Sequence, residues 1–375
     1  MSRDLLLVGL ALLTWGMGEG MFLYFQPLYL QQLGASPAVI GGILGAVGAA
    51  MMIAHIPAGY LADRVGRRPL MWLSWILGVV AAWIMAMASS LPAFVVGLML
   101  YSTTAFVMSP MHSYVTAARG KLSVGRALTL ISVFYNTGAI AGPLIGGQIG
   151  ERLGLQQVYR VSAGIFILSA LTILLIRPQP PEHHAAVKTS LRLKFDRRYL
   201  IYLVLIFIAT LTSYLPQPLS SNYLQNEHGL SVENIGQLGM VASIGIVLLN
   251  LVLGGLKARH GFLLGQAAVG LFAILIWQGQ GLAWYASAYF LLGGYRVIRS
   301  LAAAQTRHLV EQSQMGLAYG VTETVSGLAM MLAPMLAGLL YEKNPEMIYI
   351  WGAILIGFSL LINLRFLPIQ TDAEI

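Results

Sequence analysis

The sequence predicts an all-α membrane protein: twelve transmembrane helices in two pseudo-symmetric six-helix bundles. Three observations carry this: a composition too apolar for water, twelve hydrophobic stretches of spanning length, and an internal repeat relating the first six stretches to the last six. Of 375 residues, 57% are hydrophobic and 10% are charged, whereas a soluble chain carries about 25% charged residues. The 41 glycines fit the enrichment of glycine in membrane helices. A soluble enzyme is excluded on these grounds. No cysteine is present, which removes disulfides, thiolate metal sites and a cysteine nucleophile.

A spanning helix needs about 20 mostly apolar residues, rising 1.5 Å each across a core of about 30 Å. The first six stretches cover 5–30, 39–61, 70–88, 91–115, 125–149 and 158–176. The second six cover 199–219, 235–256, 262–279, 284–308, 316–341 and 347–366. Met1-Ser2-Arg3-Asp4 runs directly into the first stretch with no small-residue cleavage site, so that stretch reads as a retained span. Residues 1–177 form the N-terminal bundle and 199–375 the C-terminal one. Between them, 178–198 reads as a cytoplasmic linker, polar and basic, with Pro178, Pro180, Pro181 and the pair His183-His184. Two histidines there are too few for a metal site.

The net charge of +8 reads as loop anchoring, not as nucleic-acid binding. With the N-terminus inside, cytoplasmic loops carry Arg64, Arg67, Arg68, Arg119, Lys121, Arg126, Lys188, Arg192, Lys194, Arg197, Arg198, Lys257 and Arg259. The outer loops carry Arg152, Arg160 and Lys343. This asymmetry predicts a multi-pass protein of the cytoplasmic (inner) membrane with both termini cytoplasmic.

The repeat is visible residue by residue. Tyr29-Leu30-Gln31 matches Tyr223-Leu224-Gln225 at an offset of 194. At an offset of 195, Gly34 meets Gly229, Ser36 meets Ser231, Ile40-Gly41 meets Ile235-Gly236, Gly59 meets Gly254 and Gly66 meets Gly261. Further on the offset is 191, with Gly125 on Gly316 and Pro143 on Pro334. Duplicated six-helix halves are a transporter architecture, with the substrate site near the midplane.

Two motifs point to a family. After the second stretch the chain reads Gly59-Tyr60-Leu61-Ala62-Asp63-Arg64-Val65-Gly66-Arg67-Arg68, in which Gly59 and Gly66 permit tight turns and Asp63 suits a helix N-terminus. This resembles the G-x-L-A-D-R-x-G-R-R signature of the major facilitator superfamily. The resemblance, extended by the span count and the repeat over nearly the whole chain, implies that Gly59, Asp63, Arg64, Gly66, Arg67 and Arg68 form a conformational latch. In it Asp63 would face the start of the eleventh span near Gly316. The family's acid at the inner end of the fourth span is absent: Thr116-Ala117-Ala118-Arg119 stands there.

The fifth span carries Gly138, Gly142, Pro143, Gly146 and Gly147. Glycines four apart let a neighbouring backbone approach closely. The run resembles a motif of the drug/proton antiporter branch, with Thr129 where the longer motif has glycine and without that branch's arginine in the fourth span. In this family the first, fourth, seventh and tenth helices line the cavity, so the resemblance places Glu19, Arg296 and Arg299 on the central pathway.

A central Asp, Lys or Arg in a span costs about 2.5–3.5 kcal/mol. Glu19, Arg296, Arg299 and Glu323 stand near mid-span and must face water or one another. Arg296 and Arg299, three apart, share a helix face and suit an anion clamp. The competing arrangement is a network of Arg299 with Glu323 and Arg296 with Glu19. A carboxyl in a poorly solvated cavity can load and release a proton, so Glu19 and then Glu323 are the expected proton carriers. His55 and His112 also lie in spans, where a packing role is the commoner one. Around Glu19, helical spacing gathers Trp15, Phe22 and Gln26. The fourth span offers Tyr101, Thr104 and Met108, the fifth Tyr135 and Asn136, the tenth Tyr289 and Tyr295. Such a wall suits an amphipathic or aromatic organic ligand.

The chain has no G-x-x-x-x-G-K-[ST] phosphate loop, no H-E-x-x-H and no serine elbow. No enzyme activity, cofactor or metal is expected. The expectation is a monomeric secondary active transporter in the lipid bilayer, exporting a small amphipathic compound against protons by rocking of its halves. Three alternatives stay open: an importer or exchanger of an organic anion held by Arg296 and Arg299, a lipid or lipid-linked-sugar flippase, and a non-transporting receptor or scaffold.

Overall fold

The computed structural model describes residues 2–179, 196–307, 309–310 and 314–367, without the side chains of 55–65 and 316. Most of the linker expected over 178–198 lies outside the described residues, as do the side chains of His55, Asp63 and Arg64. The helices run in chain order as α1 (Arg3–Leu23), α2 (Gln26–Gln32), α3 (Pro37–Val65), α4 (Arg67–Met87), α5 (Leu91–Thr103), a 3₁₀ turn (Thr104–Val107), α6 (Met108–Ala118), α7 (Val124–Leu153) and α8 (Leu155–Leu174). They continue as α9 (Arg197–Tyr214), α10 (Ser220–Asn226), α11 (Val232–Gly254), α12 (Ala258–Gln278), α13 (Leu282–Leu292), α14 (Gly294–Thr306), α15 (Met315–Lys343) and α16 (Met347–Phe366). This is a multi-pass membrane protein. Among the described residues eleven segments are individually long and apolar enough to span. The twelfth expected span, 284–308, is divided into α13 and α14 at Gly293.

Four of the expected spans are interrupted, each for a local reason. The first breaks at Tyr24–Phe25, ahead of Pro27 in the first turn of α2. The fourth passes through the 3₁₀ turn at 104–107, next to Pro110. The seventh breaks at 215–219, which holds Pro216 and Pro218, and the tenth at Gly293-Gly294. Proline removes a helix donor and crowds the preceding turn, and glycine is a poor helix former. The interruptions of the first and seventh spans correspond under the repeat, as do those of the fourth and tenth. Hydropathy runs straight through all four, so the sequence reads them as unbroken.

At Gly59 the structure corrects the expectation of a tight turn: α3 continues in helix to Val65. The turn is made by Gly66 alone, at φ +90°, a conformation open to glycine.

The fold divides into two compact units. The first holds Met1–Ala35, Ala46–His183 and Ser221–Met240; the second holds Ser36–Gly45, His184–Ser220 and Val241–Ile375. The exchanged pieces are held by glycine contacts within each unit. In the first, a Cβ on Gly147 would lie 3.0 Å from Gly236 Cα, and one on Gly236 would lie 2.5 Å from Pro143 O. In the second, a Cβ on Gly338 would lie 3.0 Å from Ala38 Cα and 3.2 Å from Gly41 Cα, and one on Gly41 would strike Pro334 O. Gly41 and Gly236 are repeat mates, as are Pro143 and Pro334. The first unit adds an amide clasp between α2 and α10: Asn222 Nδ2 donates to Gln31 Oε1 (2.5 Å) and Pro27 O (3.2 Å), and Ser221 Oγ donates to Tyr24 O (2.7 Å).

Candidate functional site: two charged clusters at mid-span

The first cluster is built on backbone contact between α1 and α7. A Cβ on Gly138 would strike Leu13 O and lie 2.7 Å from Met17 N; one on Gly146 would strike Met21 O. Gly142 abuts Met17 O and Gly20, and Gly16 abuts Tyr135 O. Any larger side chain on this face would force the helices apart. The approach brings Tyr135 to Glu19, and its hydroxyl donates to Glu19 Oε2 at 2.7 Å. Tyr101 Oη, buried and without a partner in hydrogen-bond geometry, lies beside both.

An aromatic wall closes round the carboxylate. Trp15 stacks on Phe166 at 4.4 Å and on Tyr101 at 5.9 Å, and Phe22 stands edge-on to Tyr101 at 5.6 Å. Gly78 and Gly18 make room for Trp15 and Phe166 respectively. Of the residues singled out in this half, Trp15, Glu19, Phe22, Tyr101 and Tyr135 are thus brought together. Thr104 is buried and donates to Tyr101 O at 2.7 Å, holding the end of α5. Asn136 donates back to Ser132 O at 2.8 Å. Gln26 is buried at the start of α2, and Met108 is exposed. Phe166 was not anticipated. It carries no mark that separates it from other aromatic residues in a membrane span.

The second cluster sits on α14. The corner at Gly293-Gly294 packs on Gly245 of α11 and Gly265 of α12, where a Cβ on Gly294 would lie 2.6 Å from Gly265 O. From that corner Tyr295, Arg296 and Arg299 project. Arg299 donates to Glu323 through Nη2 at 2.8 Å and Nε at 3.3 Å, both to the same oxygen, Oε2. The side chains of this pair are 36% and 46% exposed. Arg296 is exposed, and within its own unit it has no carboxylate partner among the described residues. Beside them Tyr214 and Tyr295 pack ring to ring at 5.2 Å. Tyr214 is within electrostatic reach of both guanidinium groups. Ser300 Oγ donates to Arg296 O at 3.0 Å and to Asn250 Oδ1 at 3.4 Å. Tyr289 stands apart, fully buried, with its hydroxyl on Ser220 Oγ at 3.1 Å.

Of the signature residues with described side chains, Arg67 Nη1 donates to Ser113 O at 3.4 Å. Arg68 lies 3.9 Å over the Trp72 ring, a cation–π contact. With no acid at the end of the fourth span, a backbone carbonyl takes the arginine.

The Major Facilitator Superfamily model matches residues 8–217 and 202–374. The chain belongs to the major facilitator superfamily. It is 21% identical over 369 residues to "Multidrug resistance protein 2" of Bacillus subtilis (strain 168), covering 93% of this chain and 90% of that protein. It is 23% identical over 368 residues to "Tetracycline resistance protein, class B" of Escherichia coli, again covering 93% and 90%. In fold it is similar to the crystal structure of nucleoside transporter NupG, with TM-score 0.78, 13% identity, and 97% and 98% of the two chains covered. It is similar too to a POT family transporter in complex with 5-aminolevulinic acid, with TM-score 0.76 at 16% identity, covering 98% and 96%. As a superfamily member the chain is a transporter and not an enzyme.

Proposed function

We propose that this superfamily member is a proton-coupled secondary transporter that exports small amphipathic organic compounds across the cytoplasmic membrane. It works as a monomer with both termini in the cytoplasm, opening its site to each side in turn. The observation that carries the reading is Glu19, hydrogen-bonded by Tyr135 at 2.7 Å inside an aromatic wall. The Tyr135 hydroxyl is a neutral donor that supports the charged carboxylate, and the carboxyl can gain and lose a proton in that setting. The same rings offer apolar surface to an aromatic ligand. The relatives named above, a multidrug resistance protein and a tetracycline resistance protein, support export. The excess of basic residues in alternate loops supports the orientation. Gly138, Gly142 and Gly146 hold α1 and α7 as one body, and the signature residues Gly59 to Arg68 serve as the latch.

The test is transport of an amphipathic compound panel into proteoliposomes under an imposed pH gradient. Glu19→Gln is expected to abolish gradient-driven accumulation. Accumulation equal to that of the parent would remove Glu19 from the coupling role.

A second reading is favoured by one observation: Arg296 is exposed at mid-span with no carboxylate partner in its unit among the described residues. Leaving a guanidinium there costs several kcal/mol unless an anion or water meets it. On this reading the substrate is an organic anion, imported or exchanged. Direct binding of an anion panel to the parent and to Arg296→Ala separates the two readings.

A further inference from the structure

Glu323 holds Arg299 in a way that invites displacement. The two guanidinium donors share one carboxylate oxygen, Oε2, at 2.8 and 3.3 Å. The stronger arrangement is two parallel bonds to two oxygens. Both side chains are partly exposed, at 36% and 46%. Three residues earlier on the same face, Arg296 is exposed and lacks an acid in its unit among the described residues. Counting charges among the described residues of this unit, the cluster holds two arginines to one glutamate. Tyr214 and Tyr295, ring to ring at 5.2 Å, border the guanidinium groups with aromatic surface.

We propose that Glu323 is a built-in stand-in for the acid group of the substrate, and that the substrate is an amphipathic organic acid, a carboxylate or a phosphate monoester carried on an aromatic or apolar body. The inference rests on the reading that Arg296 and Arg299 lie in the substrate path, and it names the substrate class and the switch at that site. In the empty protein Glu323 occupies Arg299. An incoming acid group docks first on Arg296, which has no acid in its unit among the described residues, and then takes Arg299 as Glu323 swings away. No bond is made or broken; one carboxylate exchanges for another. When the ligand leaves, Glu323 returns, so the empty protein never carries a bare Arg299 through its return step. That return is the step needed for net transport, and it is not needed for one-for-one exchange. Glu323 is therefore a positioning residue, acting through Arg299.

The test uses the full-length protein and three probes of one body: 2-naphthoate, 2-naphthyl phosphate and the neutral 2-naphthylmethanol. Calorimetric titration is expected to show that Glu323→Gln binds both anions at least tenfold more tightly than the parent. Glu323→Asp, which keeps the competing charge, binds them at least fivefold more weakly than Glu323→Gln. Arg296→Ala and Arg299→Ala bind them at least tenfold more weakly than the parent. Affinity for 2-naphthylmethanol stays the same in all variants and reports that each is folded. In proteoliposomes Glu323→Gln keeps the exchange of labelled for unlabelled 2-naphthoate but loses net flux at least tenfold. If Glu323→Gln binds the anions no more tightly while Arg296→Ala still weakens them, the stand-in role is overturned and the anion path stands. If the parent binds 2-naphthoate no better than the alcohol, with no dependence on Arg296, the substrate class and the anion path are overturned together.

Discussion

The two units meet the same problem, charge in the middle of a span, with opposite solutions. In the first, a neutral phenol meets the carboxylate: Tyr135 donates to Glu19, and aromatic rings surround it. In the second, Arg299 pairs with Glu323, and Arg296 has no carboxylate partner in its unit among the described residues. A hydrogen bond from a neutral phenol gives way, when the carboxyl is protonated, at the cost of that one bond. An ion pair responds instead to a competing ion. On the proposed reading the first cluster exchanges protons and the second meets ligand charge. Both clusters depend on spans whose helix is interrupted, and both are set by glycine contacts that bring neighbouring backbones into touch.

The contrast is broken most severely by separating α1 from α7. A side chain on Gly142 would enter the backbone at Met17 and Gly20. Gly142→Leu is expected to abolish folded, membrane-inserted protein, since overpacking at a single site costs about 1–3 kcal/mol and more where backbone blocks it. Size-exclusion profiles and thermal unfolding of the purified protein check this. Next in size is Glu19→Gln, expected to remove proton-driven accumulation while leaving downhill movement of the same compound. A variant that loses both has lost its site and not its coupling.

Smaller still is Tyr135→Phe, which deletes one hydrogen bond to a carboxylate, worth about 1.5–3 kcal/mol. Gradient-driven transport should fall by about tenfold or more, and its pH profile should shift. An unchanged profile would show that the phenol only fills space. The smallest effect sharpens the glycine argument. A Cβ added to Gly164 on α8 would meet nothing within 4 Å, so Gly164→Ala should leave transport and the thermal midpoint unharmed, in contrast to any substitution at Gly138 or Gly142.

Much of this arrangement was legible in the sequence, for physical reasons. Hydropathy places the spans because a bilayer demands continuous apolar length. The glycine row from Gly138 to Gly147 announces a close helix contact, and counting two acids against two bases makes the Arg299–Glu323 pair foreseeable. The interruptions were not legible, since Pro27, Pro110, Pro216 and Gly293 sit inside apolar stretches that average smoothly. Gly59 misleads because a glycine beside a charged motif looks like a turn, while the helix runs on to Val65. Phe166 and the amide clasp of Gln31 with Asn222 escaped notice because ordinary residue types meet there across long sequence separations.

The assignment of the proton to one unit and of ligand charge to the other is tested most directly by ligand-induced proton movement. Addition of saturating 2-naphthoate to purified protein in weakly buffered solution, followed with a pH indicator, should change the proton count of the parent and of Glu323→Gln alike. It should leave that of Glu19→Gln unchanged. A Glu19→Gln protein that exchanges protons as fully as the parent would contradict the account.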